Sequence, residues 1–119
     1  MQASFIETSE FTEWVAEYLP DGVYSSIQQQ LLQNPHFGAV MPGCGGLRKL
    51  RAADPRRGKG KRGGVRLIYL YIPEARWFYL LDIYGKDEKD DLTADEKHQL
   101  KLLANELQRE ARAAAKRTS

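Results

Sequence analysis

Val65-Arg66-Leu67-Ile68-Tyr69-Leu70-Tyr71-Ile72, then Pro73-Glu74-Ala75, then Arg76-Trp77-Phe78-Tyr79-Leu80-Leu81-Asp82-Ile83-Tyr84 is the stretch that decides the fold. In both long runs, β-branched, aromatic and leucine side chains follow one another with little polar alternation, so nearly both faces of each are apolar. Runs of that kind are strands, and the short proline-bearing turn between them makes a hairpin at the centre of a sheet. Arg66 is the exception within it, a cation on an otherwise apolar strand, where burial without a partner would be costly.

Upstream of the hairpin, Leu47 to Ala53 alternates loosely and reads as a further strand. Asp54 to Gly64 is a loop of glycine, lysine and arginine with no apolar residue to anchor it to a core, so mobility in the free protein is expected. His36 to Gly46, rich in glycine and proline, is another loop. Ser4 to Glu7 reads as a first strand, after which Thr8 or Ser9 caps a helix carrying Phe11, Trp14, Val15 and Tyr18 at helical spacing. Pro20-Asp21-Gly22 breaks that helix. A second runs from about Asp21 to Asn34, with Val23, Ile27 and Leu31 as its stripe, and stops at Asn34-Pro35.

Downstream, Gly85 to Leu92 is a charged loop. Thr93-Ala94-Asp95-Glu96 has the pattern of a capping box and opens a helix with Leu100, Leu103, Ala104 and Leu107 on its apolar side. Ala111 to Ser119 reads as a frayed basic tail. The order strand, helix, helix, strand, strand, strand, helix predicts an α+β fold in one domain over residues 1–119, with helices on a mainly antiparallel sheet.

The 119 residues carry a net charge of only +2, with 42% hydrophobic and 29% charged residues, as in an ordinary globular domain. The charge is unevenly spread. Arg48, Lys49, Arg51, Arg56, Arg57, Lys59, Lys61, Arg62 and Arg66 crowd the middle against Asp54 alone, while acids gather from Glu7 to Glu17 and from Asp82 to Glu96. A polyanion partner is expected for the middle. A run of glycines and cations wraps phosphates, and Lys49, Arg51 and Arg66, held on strands, make a shaped site rather than a loose patch. Cys44 is the only cysteine, which excludes an internal disulfide and suits a reducing cytosol. No apolar run suits a membrane span, and Met1 to Glu7 lacks the pattern of a secretory signal.

Gly45-Gly46-Leu47-Arg48-Lys49-Leu50-Arg51, Gly58-Lys59-Gly60-Lys61-Arg62-Gly63-Gly64-Val65-Arg66-Leu67-Ile68-Tyr69 and Phe78-Tyr79-Leu80-Leu81-Asp82-Ile83-Tyr84-Gly85-Lys86 resemble the HigB branch of the RelE/ParE superfamily of toxins. The likeness runs from the first strand to the last helix, the two N-terminal helices matching only in pattern. It implies a small sheet flanked by helices and a toxin of a type II toxin–antitoxin system. The implied activity is ribosome-dependent cleavage of mRNA in the decoding site. The implied partners are the ribosome and a HigA-like antitoxin with a helix-turn-helix domain, the toxin alone being a monomer.

Within this resemblance Lys49 and Arg51 look like the strand cations of RelE. Arg66 looks like the arginine of its Tyr-Arg-Leu-Val-Tyr motif, and Gly85-Lys86 like its Gly-Lys segment. The tyrosine that follows in RelE has no counterpart, Leu92 and Thr93 standing near its place, and Tyr84 is the candidate substitute. Catalytic roles therefore fall to Arg66, Lys49, Arg51, Lys86 and Tyr84. Contacts to RNA or ribosome fall to Arg48, Arg56, Arg57, Lys59, Lys61 and Arg62.

The implied chemistry needs neither metal nor cofactor. An RNA 2′-hydroxyl attacks its own 3′ phosphate, which requires in-line placement, a proton acceptor, a proton donor and charge on the phosphorane. Arg66 suits the charge, and Lys49 or Lys86 acts as base only where crowded cations favour the neutral amine. His36 and His98 read as surface residues rather than a ribonuclease pair, and Cys44 as a small residue rather than a nucleophile or zinc ligand. Trp14, Tyr69, Tyr71, Trp77 and Tyr79 read as core rather than as base-stacking surfaces. Two other activities fit the sequence: inhibition of DNA gyrase by a ParE-like toxin on the same fold, and non-catalytic RNA binding.

Overall fold

The computed structural model describes residues 2–54, 58, 60, 64–89 and 91–118. Strands β1 (Ser4–Glu7), β2 (Ala39–Val40), β3 (Arg48–Ala52), β4 (Val65–Ile72) and β5 (Trp77–Gly85) form one sheet in the order β1-β5-β4-β3-β2. Helices α1 (Ser9–Tyr18) and α2 (Asp21–Gln33) follow β1, and α3 (Ala94–Thr118) follows β5. The sheet is antiparallel except for β1, which runs parallel to β5. This is the α+β arrangement that the sequence predicts.

The two-faced apolarity of β4 and β5 has a direct cause, since helices cover both sides of the sheet. On one side Phe11 of α1 and Ile27 and Leu31 of α2 pack with Leu67, Tyr69, Phe78 and Leu80. On the other, Ala104, Leu107 and Ala111 of α3 pack with Ile68, Leu70, Ile72, Tyr79 and Leu81. A β-bulge separates the two ends of the β4–β5 ladder. Ile68 pairs with Asp82 but Tyr69 pairs with Leu80, leaving Leu81 without an opposite number. The extra residue resets the alternation of β5. Tyr79 and Leu81 face α3 before it, and after it Tyr84 rather than Ile83 faces α3. Bulges re-aim side chains in this way, and here the bulge delivers a tyrosine to the same face as the strand cations.

Local signals account for the ends of the helices. The Thr8 side chain accepts from the Phe11 N–H at 3.2 Å, and its own hydroxyl donates to the Leu81 carbonyl at 2.9 Å, so the cap also ties α1 to β5. The capping box of α3 is complete: the Glu96 N–H reaches the Thr93 hydroxyl at 3.1 Å and the Thr93 N–H reaches the Glu96 carboxylate at 2.8 Å. Gly45 and Gly46, both at positive φ, let the preceding loop turn against α3. There Gln108 of α3 donates to the Gly45 carbonyl at 2.7 Å, and Cys44 is buried among apolar neighbours.

Four expectations need correction. The loop from His36 to Gly46 contains β2, paired with β3 through Ala39–Lys49 and Val40–Arg48. The supposed frayed tail is helical through Thr118, and Ala111 is fully buried because it continues the i, i+3/i+4 series Leu100, Ala104, Leu107. Leu103 lies off that stripe and is 38% exposed. Trp14 is 41% exposed at the rim of α1 rather than in the core.

Candidate active site

The pairing register builds the site. Arg51 on β3 stands opposite Arg66 on β4, and Arg66 stands opposite Tyr84 on β5. Directly opposed residues of antiparallel strands share a face, so the three form one row across the sheet. Lys49 lies two residues before Arg51 on the same face, opposite Ile68. Four of the five residues to which the sequence assigns catalysis are thus brought together on rigid strands, at the end of the α3-side face.

Within the row, environments differ. Arg51 is exposed, whereas Arg66 is 3% exposed. Burial, then the charge of Arg51, lowers the Arg66 pKa, with Tyr84 pulling the other way; a guanidinium stays protonated through the physiological range regardless. Its Nη1 donates to the Val65 carbonyl at 3.4 Å. Tyr84 is buried, and its hydroxyl has no hydrogen-bond partner among the described residues. Burial, followed by the negative charge of Asp91, pushes the phenol up to about 12, and Arg66 only partly opposes this. Tyr84 is therefore a protonated phenol at neutral pH, able to give a proton and unsuited to taking one.

Lys49 reaches the Asp91 carboxylate at 3.4 Å, and Lys97 of α3 reaches its other oxygen at 2.9 Å. The hydrogen bond from Lys97 first, then the Leu92 N–H and Lys49, hold the Asp91 carboxyl down at about 2 against partial desolvation. Neither Asp91 nor Lys97 stands out in the sequence, because the segment from Lys86 to Asp91 has the composition of a solvated loop. Only the fold shows that its last acid meets a strand lysine.

Lys86 lies in the turn just after β5, and its N–H donates to the Gly64 carbonyl at 2.9 Å, joining the turn to the start of β4. Arg48 stands apart from the row. It alternates to the opposite face, opposite Tyr69, and its Nη1 is spent on the carbonyls of Gly38 at 2.7 Å and His36 at 3.2 Å. Arg56, Arg57, Lys59, Lys61 and Arg62, and the expected mobility of their loop, lie outside the described residues. The ends of that loop are nonetheless fixed. Asp54 is only 2% exposed, against the expectation that nothing there is anchored, and a Cβ on Gly64 would stand 2.2 Å from the Ala52 carbonyl oxygen.

His36 and His98 are exposed on separate elements. Tyr69 and Tyr79 are core residues, the Tyr69 hydroxyl donating to the Pro35 carbonyl at 2.8 Å. Among the described residues, no group of three or more His, Cys, Asp or Glu is placed to hold a metal. No described helix is long and apolar enough to cross a membrane.

Residues 36–118 match the family described as RelE toxin of RelE / RelB toxin-antitoxin system. The chain belongs to the RelE toxin family. The match includes every strand cation of the row and Tyr84. Among solved structures, an arginine double mutant of E. coli toxin RelE in the free state aligns with a TM-score of 0.50 and 17% identity. The alignment covers 76% of this chain and 90% of that one. At that identity the likeness speaks for the fold alone, and it agrees with a five-stranded RelE-like sheet between helices. The RelE family places this chain as the toxin component of a toxin–antitoxin pair.

Proposed function

We propose that this RelE toxin is an endoribonuclease of the HigB branch that cuts messenger RNA held in the decoding site of the ribosome, without a metal ion. The observation that carries the proposal is the Arg51–Arg66–Tyr84 row, two guanidinium groups and a buried protonated phenol in register on one sheet face, with Lys49 beside it.

Those groups meet the needs of transesterification. The 2′-oxygen attacks the adjacent phosphorus and the bond to the 5′-oxygen breaks, leaving a 2′,3′-cyclic phosphate and a 5′-hydroxyl. Arg66, with its bidentate fork and its fixed place in a low-dielectric wall, stabilises the charge of the phosphorane. Arg51, exposed at the mouth, steers and holds the phosphate. Tyr84 gives its proton to the departing 5′-oxygen, the role left to a phenol held near 12. The 2′-hydroxyl proton is assigned to Lys86, in the turn after β5, on the condition that cations gathered in the occupied site favour its neutral amine. The cationic loop with Arg56, Arg57, Lys59, Lys61 and Arg62 docks on ribosomal RNA. The antitoxin is a HigA-like helix-turn-helix protein that forms a tight complex with the toxin.

Primer extension on messages from a translation reaction tests the reading. Codon-positioned stops that appear with toxin support it. Inhibition of gyrase supercoiling without stops would replace it with the ParE-like activity, and RNA binding without either would leave a non-catalytic module. Co-expression with the adjacent gene, followed by size exclusion, tests the partner; two separate peaks at micromolar concentration would contradict it.

A further inference from the structure

Lys49 and Lys97 come from different elements, one on β3 and one in the first turns of α3, yet both ammonium groups converge on a single carboxylate. Asp91 takes Lys49 on Oδ1 and Lys97 on Oδ2, at 3.4 and 2.9 Å. Two lysines about one small anion make a cradle for two oxygens of any singly charged oxyanion, and a phosphodiester is one. The cradle opens to solvent: Asp91 is 46% exposed, and the lysines 24% and 39%. It also adjoins the row, because Lys49 is two residues from Arg51 and the Asp91 charge acts on the Tyr84 hydroxyl.

The segment that carries Asp91 is clasped onto α3 rather than built into the sheet. Lys89 pairs with Glu96 at 2.7 Å and lies 5.0 Å from the centre of the Tyr84 ring, and Asp91 pairs with Lys97. These are partly exposed ion pairs, which exchange readily with other ions. Of the cations on this face, Arg51 is exposed, while Lys49 and Lys97 are held by an acid from the chain itself.

We propose that Lys49 and Lys97 form a second phosphate subsite, binding the RNA backbone phosphate next to the scissile one, and that Asp91 occupies it in the free toxin as a stand-in for that phosphate. The subsite deepens the nuclease reading and rests on it. RNA entry displaces Asp91, so one negative charge replaces another between the same two lysines. The segment over Tyr84 is released in the same step, which couples backbone binding to access to the proton donor.

The test is single-turnover cleavage of ribosome-bound message, read as the maximal rate and as the toxin concentration giving half of it, alongside thermal melts of each protein. Lys97→Gln should raise the half-saturating concentration about tenfold, the worth of one charge-assisted hydrogen bond, with little change in maximal rate. Asp91→Asn retains an acceptor for the Leu92 N–H, which Asp91 Oδ1 now takes at 2.8 Å, but gives up the charge. It should lower the half-saturating concentration several-fold.

A Lys97→Gln protein that saturates like the parent overturns the subsite. So does an Asp91→Asn protein that saturates at a higher concentration and melts earlier, since Asp91 would then be a structural clamp. If the maximal rate falls on Arg66 substitution while both new variants match the parent, the nuclease stands and the subsite falls. A parent that leaves the message intact overturns the nuclease reading and the subsite with it.

Discussion

Replacing Tyr84 with phenylalanine should move stability and activity in opposite directions. The ring packs in the cluster with Leu81, Leu92 and Leu107, and phenylalanine preserves that packing. What it removes is a buried hydroxyl with no hydrogen-bond partner among the described residues. Burying such a group costs about 1–3 kcal/mol, and part of that is recovered. A gain of about 1 kcal/mol is expected, which for a domain of this size raises Tm by roughly 3–6 °C. The sign at high pH follows from linkage. The folded phenol sits at about 12, above its unfolded value near 10. The neutral form is thus favoured by folding, and stability is lost as pH rises from near 10 through about 12. Tyr84→Phe should lose less over that interval. Cleavage should nonetheless fall by about 10²–10⁴, the usual worth of a positioned proton donor. Calorimetric melts between pH 7 and 11, paired with single-turnover cleavage on ribosomes, give both quantities. A variant that melts earlier than the parent, or one that cuts at the parent rate, would refute the reasoning.

Other consequences are independent of that hydroxyl. Arg66→Lys keeps a cation at the buried position but loses the bidentate fork, so cleavage should drop by roughly 10–100-fold with a native circular dichroism spectrum; unchanged cleavage would remove Arg66 from the site. Replacing Lys59, Lys61 and Arg62 together by alanine should weaken ribosome pelleting and flatten its salt dependence, by roughly 0.7 in log–log slope for each phosphate that is no longer neutralised. Ala111→Asp puts a charge where the side chain is fully buried against the sheet and should cost about 2–4 kcal/mol in a denaturant titration. A cost near zero would mean that α3 ends before Ala111.

Much of the fold was legible because its signals are local. The apolar hairpin, the breaks at Pro20 and Pro35 and the capping box at Thr93 each act within a few residues, and they locate most of the elements. The cationic row was legible in part, since alternation puts Lys49 and Arg51 on one face of β3. What sequence patterns do not carry is pairing at a distance. Nothing near Tyr84 announces that a bulge at Leu81 turns it toward α3 and into line with Arg66. Two-residue β2 is too short for a periodic signal, and it exists because Arg48 and the β3 edge hold it. Ala111 looked like tail because alanine is only weakly apolar; its burial follows from helix phase against a sheet whose position the sequence does not give. Asp91 and Lys97 are ordinary surface residues until the last loop brings them to Lys49.

The most direct test of the central claim uses purified toxin, programmed ribosomes and two messages that differ by one oxygen. One carries ribonucleotides throughout, and the other a 2′-deoxynucleotide immediately 5′ of the cut found in the first. Cleavage of the all-ribose message is expected only when ribosomes are present, with a 2′,3′-cyclic phosphate on one fragment and a 5′-hydroxyl on the other. No cut is expected at the deoxy position. Cleavage of the deoxy message at the same bond, or a 5′-phosphate on the downstream fragment, would contradict a row of Arg51, Arg66 and Tyr84 acting on an attacking 2′-hydroxyl.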